Sequence, residues 1–262
     1  MNRKSAAELA GSVGLGAWVA FGVLALTVAG GRGAPLHVDQ SLLSWSVGHR
    51  PPIALALARG LTATGTGVIP YALVVLTGLL TGRTRQQRLV AALLGAVCLA
   101  AGQAVRHGVM ELVARARPPH QDWQTPASGW AYPSGHATTS ALAAGLVILA
   151  VCIRAPQGRT GLCTVAACWG AGVGLTRVFL GVHWFTDVLG GWLFALGWLG
   201  TCLCAAAWWL PPRYVPATRE STTGDTAGTT DGADTAEWPD GADRPAERDT
   251  PHDSGPGRSR SA

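Results

Sequence analysis

The chain has 262 residues, 48% of them hydrophobic and only 13% charged, against about 25% charged in an ordinary soluble domain. Apolar residues crowd into 12–210, which excludes a soluble globule for most of the chain. The formal net charge is +5 and Lys4 is the sole lysine; the arginines flank apolar runs instead of lining one polar face, a pattern that reads as membrane orientation and not nucleic-acid binding.

A bilayer-crossing helix needs ~20 mostly apolar residues. Arg3 and Lys4 precede the first apolar window, 12–31. Its length and the lack of an obvious cleavage motif predict an uncleaved span in place of a signal peptide. The next apolar run is interrupted by Arg59 and Pro70. It predicts a short interfacial helix over 53–59 followed by one span within 60–82. Further windows are 89–105, 137–153, 160–176 and 188–210, the shorter ones completed by flanking polar residues that snorkel to the interface. The expected fold is therefore all-α, a polytopic membrane helix bundle of about six transmembrane helices, with a membrane-embedded domain over 1–210. From about Pro211 to Ala262 the chain is rich in Thr, Asp, Gly, Pro, Arg and Ser. Such a segment buries too little surface to offset its ordering entropy, and a disordered tail is expected.

Six cysteines, at 98, 152, 163, 168, 202 and 204, all fall in predicted spans. Neither Cys163 with Cys168 nor Cys202 with Cys204 has zinc-site spacing, so they read as small buried apolar residues. Gly170, Gly172, Gly174, Gly190 and Gly191 give the last two spans small faces for close helix approach. With six spans, Arg3, Lys4, Arg83, Arg85, Arg88, Arg154, Arg159, Arg213 and Arg219 share one side, which the positive-inside rule makes the cytoplasm. The tail is then cytoplasmic. Arg117, His136 and His183 lie by their span ends on the opposite, extracytoplasmic side of a cell membrane.

Three stretches at those span ends carry the chemistry. His183 and Asp187 are four apart and share one face if helical. A carboxylate there fixes the tautomer of the imidazole and leaves its other nitrogen free to attack. Arg177, six residues earlier, suits bidentate capture of phosphate oxygens. In Pro133-Ser134-Gly135-His136, Ser134 reads as a helix N-cap, Gly135 as a place where backbone approaches a ligand, and His136 as the group beside the bound anion. Arg117-Pro118-Pro119 reads as the close of the third span, because proline stops a helix. Arg115 is expected to face elsewhere, as a headgroup or structural contact, and His107, His120 and Asp122 as interface residues.

With Arg117-Pro118, Pro133-Ser134-Gly135-His136 and Thr176-Arg177, five residues, His183, three residues, Asp187 in place, the chain resembles the type 2 phosphatidic acid phosphatase (PAP2) family, whose fold is shared with vanadium-dependent haloperoxidases. The resemblance covers roughly residues 50–210. It implies a membrane phosphatase in which His183 is the nucleophile, forming a phosphohistidine, Asp187 orients it, and His136 is the general acid for the leaving alcohol. Arg117, Arg177, Ser134 and the Gly135 amide would hold the phosphate, and no metal or other cofactor is implied. The implied substrates are lipid phosphates, among them phosphatidic acid, phosphatidylglycerol phosphate or a polyprenyl pyrophosphate. A lipid-phosphate binder with weak catalysis, or a phosphotransferase, would use the same residues. The chain departs from the family pattern twice. Thr176 replaces a serine, and Met110 stands seven residues before Arg117 where the family has lysine. Seven residues is close to two helical turns, so residue 110 is expected to face with Arg117. Arg106, one turn back from Met110, is the expected substitute for the missing cation.

Overall fold

The computed structural model describes residues 3–154 and 158–209. The expected tail at 211–262 lies outside the described residues. Eight α-helices and one 3-10 turn make up the described chain, with no strand among them. In chain order they are α1 (Arg3–Gly30), α2 (His37–Gly48), α3 (Pro52–Ala63), α4 (Val68–Thr81), α5 (Arg85–Val113), α6 (Gly135–Arg154), α7 (Arg159–Phe179) and α8 (Phe185–Trp209).

Five helices, all but α2, α3 and α4, are long and apolar enough to cross a bilayer. The α3–α4 pair passes the same test together, bent by 54° at its break, which brings the count to six. The expected interfacial helix at 53–59 is longer than the apolar run suggested, Pro52–Ala63, and the descending part is only Val68–Thr81. The break follows from local chemistry: Thr64 Oγ1 bonds back to Leu61 O at 2.7 Å, and Gly67 takes the left-handed φ of +69° that a side chain resists. Helix α2 was not expected at all. Its composition is mixed and only three of its residues are buried, so no long apolar stripe announces it.

Helices α6, α7 and α8 form the centre of the bundle, with α1 packed on α8 and α4 on α5 and α6. Small residues allow this. Gly14 of α1 faces the Gly200 backbone of α8, and a Cβ on Gly170 of α7 would meet Ala144 Cβ at 3.0 Å. In lipid, where apolar side chains gain nothing from leaving water, close packing of this kind is what holds helices together. One apolar cluster joins Val74, Leu99, Leu142, Ala143 and Ala195, and a second joins Phe21, Val28, Tyr132 and Phe194. The cysteines are less enclosed than expected. Cys152 and Cys168 are exposed and the other four are partly exposed, because these helix faces are turned away from the bundle.

Candidate active site

The C-terminal ends of α5 and α7 and the N-terminal ends of α6 and α8 meet at one end of the bundle. Every residue singled out in the three motifs lies there.

His183 and Asp187 do not share a helix face as expected. His183 sits in the turn between α7 and α8, and Asp187 is in the first turn of α8. They still face each other, Nδ1 to Oδ2 at 3.5 Å. The turn owes its shape to Gly181, whose φ is +73°, and to Val182 N–H donating to Arg177 O at 3.1 Å. Asp187 Oδ2 also accepts from Trp184 N–H at 2.8 Å, which caps the start of α8. On the other ring nitrogen, Arg117 Nη1 lies 2.9 Å from His183 Nε2. A guanidinium can only donate, so Nε2 carries the lone pair and Nδ1 the proton that faces Asp187. The imidazole thus presents Nε2 to the site. Burial lowers the His183 pKa well below its ordinary value, and Arg117 and Arg177 lower it further, so the ring is neutral near pH 7.

Arg117 does not close a helix. Helix α5 ends at Val113, where Ala114 adopts the left-handed φ of 45° and its N–H bonds to Met110 O, four residues before the first proline. Arg117 is held instead by loop carbonyls: Nε by Gly129 O at 2.9 Å, Nη2 by Ser128 O and Trp130 O at 2.6 and 3.0 Å, and Nη1 by Val182 O at 2.9 Å. Burial lowers its pKa, with Asp187 acting the other way. Arg177, 3% exposed, is anchored by Nη1 donating to Thr62 Oγ1 at 3.0 Å, while its Nε has no partner.

Ser134 stands immediately before α6, as an N-cap residue would, and its carbonyl accepts from Thr138 N–H at 3.0 Å. Its hydroxyl, however, does not cap. Ser134 Oγ is fully buried without a partner. Ser134 Oγ and Arg177 Nε are thus two buried polar groups with hydrogen-bonding capacity to spare. His136, in the first turn of α6, is 3.4 Å from Thr66 Oγ1 through Nε2. The last turn of α3 therefore delivers Thr62 to Arg177, and the α3–α4 break delivers Thr66 to His136, a contribution that no motif signalled.

Arg106 reaches the same place. A Cβ built on Gly135 would lie 3.5 Å from Arg106 Cζ. The guanidinium is held by Gln103 Oε1 at 3.0 Å, Pro133 O at 3.4 Å and Met110 Sδ at 3.5 Å. Met110 is buried beneath it and touches the Gly129 loop. Residue 110 and Arg117 do not lie on one helix as expected, because α5 ends before Arg117.

Of the two contacts expected for Arg115, headgroup or structural, the structure shows the structural one. The residue is fully buried. Its Nη1 donates to Asp187 Oδ1 at 2.5 Å and to Thr186 Oγ1 at 2.7 Å, and its Nη2 donates to Asp39 Oδ2 at 2.8 Å. Sequence reading missed Asp39 altogether; a lone aspartate 148 positions before Asp187 carries no spacing signal. His107 sits 3.9 Å from Glu111 on an exposed face, and His120 packs on Trp123 at 4.5 Å.

Residues 90–211 match the profile of the PAP2 superfamily. Phosphatidylglycerophosphatase B of Escherichia coli (strain K12) and that of Shigella flexneri are each 36% identical over 91 residues, 35% of this chain. The chain spans only 32% of the length of these curated relatives. A crystal structure described as the first transmembrane PAP2 type phosphatidylglycerolphosphate phosphatase, from Bacillus subtilis, superposes with a TM-score of 0.62 at 22% identity. It covers 74% of this chain and 94% of that one. The resemblance read from the three motifs is thus borne out, and the helical bundle shares its fold with that structure.

Proposed function

We propose, from the PAP2-superfamily match of residues 90–211, that this chain is a multi-pass membrane phosphatase that hydrolyses lipid phosphates or pyrophosphates through a phosphohistidine. The observation that carries the reading is the convergence of groups at His183: its Nε2 accepts from Arg117 Nη1 at 2.9 Å, Arg106 lies against Gly135, and Ser134 Oγ and Arg177 Nε are buried without partners.

Each group then has a task. Arg106, Arg117, Arg177, Ser134 Oγ and the Gly135 N–H at the start of α6 bind the phosphate oxygens and stabilise the charge that builds on them. His183 Nε2 attacks phosphorus; the N–P bond forms as the bond to the leaving oxygen breaks, and the Nδ1 proton stays against Asp187. His136 relays a proton from the bound monoanionic phosphate to the leaving alcohol. Water then attacks the phosphohistidine, His136 takes its proton, and inorganic phosphate leaves with His183 restored. Arginines supply the positive charge throughout, so no step calls for a metal.

The site end is the extracytoplasmic face in this reading. The arginine-bearing α4–α5 and α6–α7 junctions, with Arg83, Arg85, Arg88, Arg154 and Arg159, lie at the other end. A headgroup site at the mouth of a membrane bundle suits an amphiphilic substrate. The names of the relatives put phosphatidylglycerol phosphate first among candidates.

The test is phosphate release by detergent-purified protein from a panel of lipid phosphates and pyrophosphates, with chelator present and His183→Ala alongside. Release by the wild type and none by His183→Ala is expected. Equal release by both removes the histidine mechanism. Tight binding without release by either makes the chain a binder.

A further inference from the structure

Behind the histidine lies a second layer that the reaction scheme does not use. Asp39, Arg115, Thr186 and Asp187 form one buried group, 0% exposed except for Thr186 at 3%. Arg115 makes five polar contacts with five N–H groups to give: Gly33 O at 3.3 Å from Nε, Ala34 O and Asp39 Oδ2 at 3.4 and 2.8 Å from Nη2, and Thr186 Oγ1 and Asp187 Oδ1 from Nη1. Asp39 is equally engaged. Its Oδ1 accepts from Thr186 N–H at 2.9 Å, and its Oδ2 from Leu36 N–H at 3.1 Å and Thr186 Oγ1 at 2.8 Å. Asp39 thus caps the start of α2 while Asp187 caps the start of α8, and Arg115 stands between the two carboxylates.

The charge count gives this arrangement its meaning. A guanidinium bonded to Asp187 at 2.5 Å in a dry interior would by itself cancel that carboxylate and leave little field at the imidazole. Asp39 supplies a second carboxylate to the same arginine, so Arg115 is divided between two acidic partners instead of belonging to Asp187 alone. The arginine also ties Oδ1, which leaves Oδ2 turned to His183 Nδ1 at 3.5 Å.

We propose that Asp39 is a positioning residue for the phosphoryl-transfer step: by counterbalancing Arg115 it preserves the negative field of Asp187 on His183 and fixes which carboxylate oxygen faces the ring. The proposal rests on the reading of His183 as nucleophile. Asp39 touches no substrate, and the phosphate grip of Arg106, Arg177 and Ser134 does not pass through it. Removing its charge therefore slows the chemistry without loosening binding.

The experiment compares Asp39→Asn, Asp187→Asn and the double variant for kcat, KM and product inhibition by inorganic phosphate. Asp39→Asn is expected to lower kcat about 10- to 100-fold, as loss of an outer partner of a metal-ligating histidine does, with KM and phosphate inhibition unchanged within twofold. The double variant is expected to be no slower than Asp187→Asn, because the two carboxylates act as one unit. An unchanged kcat in Asp39→Asn, a loss that appears in KM instead, or multiplicative losses in the double variant would each overturn the proposal. Should Asp39→Asn not accumulate folded, Thr186→Val removes the hydroxyl bridge and keeps all three charges. It should lower kcat with KM unchanged, while full activity rejects the link. A readout independent of turnover is the nitrogen-15 spectrum of the His183 ring. The wild type should hold its proton on Nδ1, and Asp39→Asn should mix the tautomers; identical spectra reject the proposal. Absence of release by the wild type would count against the phosphatase reading alone, with the ring spectrum then deciding the role of Asp39.

Discussion

Arg106→Ala is the variant that bears hardest on how phosphate is held. The wild-type guanidinium lies against Gly135, with Cζ 3.5 Å from where a Cβ would stand, and is propped there by Gln103 and Pro133. A charge-assisted hydrogen bond to an oxyanion contributes about 1.5–3 kcal/mol. At about 1.4 kcal/mol per tenfold, its loss corresponds to a fall of about 10- to 150-fold in kcat/KM. The assay is phosphate release from a lipid phosphate in mixed micelles across substrate concentration, with inhibition by inorganic phosphate measured in parallel. A contact made to the bound phosphate raises KM and weakens that inhibition; a contact made only in the transition state lowers kcat. Adding Met110→Lys to Arg106→Ala should recover part of the loss. Met110 Sδ is 3.5 Å from Arg106 Nη1, so an ammonium from position 110 reaches the vacated place. If Arg106→Ala leaves both kcat/KM and phosphate inhibition unchanged, Arg106 does not stand in for the family lysine.

Three other outcomes test the frame around the site. Gly181→Ala should abolish activity and lower Tm, because the residue has a φ of +73° and a Cβ would collide with Asp122 O; a variant with full activity would show that the turn does not set His183. Gly65→Ala drives a Cβ into Val173 Cγ1 of α7, an overpacking that costs about 1–3 kcal/mol. It should lower Tm and also slow the reaction by shifting Thr62 and Thr66, whereas a loss of Tm with intact kcat would separate the α3–α4 break from catalysis. The pH dependence follows from His183, lowered by burial and by Arg117 and Arg177. The unfolded chain takes up a proton near pH 6.5 that the folded chain refuses, so this residue's contribution is complete above about pH 6.5 and is lost as pH falls below it. Tm should drop more between pH 7.5 and 5.5 in the wild type than in His183→Asn; equal drops would mean that His183 is not held neutral.

Much of the site was legible because its chemistry is local. Pro133 to His136 and Arg177 to Asp187 are short runs whose spacing survives any detail of helix ends. The bundle places them together by simple alternation of span directions. Helix ends, by contrast, fall earlier than the apolar pattern implies. His183 and Asp187 meet across a glycine turn, not along a helix, and α5 stops at Ala114 before the prolines are reached. Ser134 occupies the cap position but keeps its hydroxyl free.

The sequence by itself determined that this chain carries several apolar helices long enough to cross a membrane, and which histidines, aspartate and arginines sit at one end. Apolar length and residue type are properties of the chain read in order, and lipid leaves the backbone few choices. The tertiary structure decided how those groups are aimed and supported. Thr62 and Thr66 arrive through a bend in a span, and Arg106 lies on Gly135 from a different helix. Asp39 arrives from a helix with no apolar signature and answers for the charge of Arg115. Such contacts join residues tens to hundreds of positions apart. They depend on distances of a few tenths of an ångström, which only packing sets.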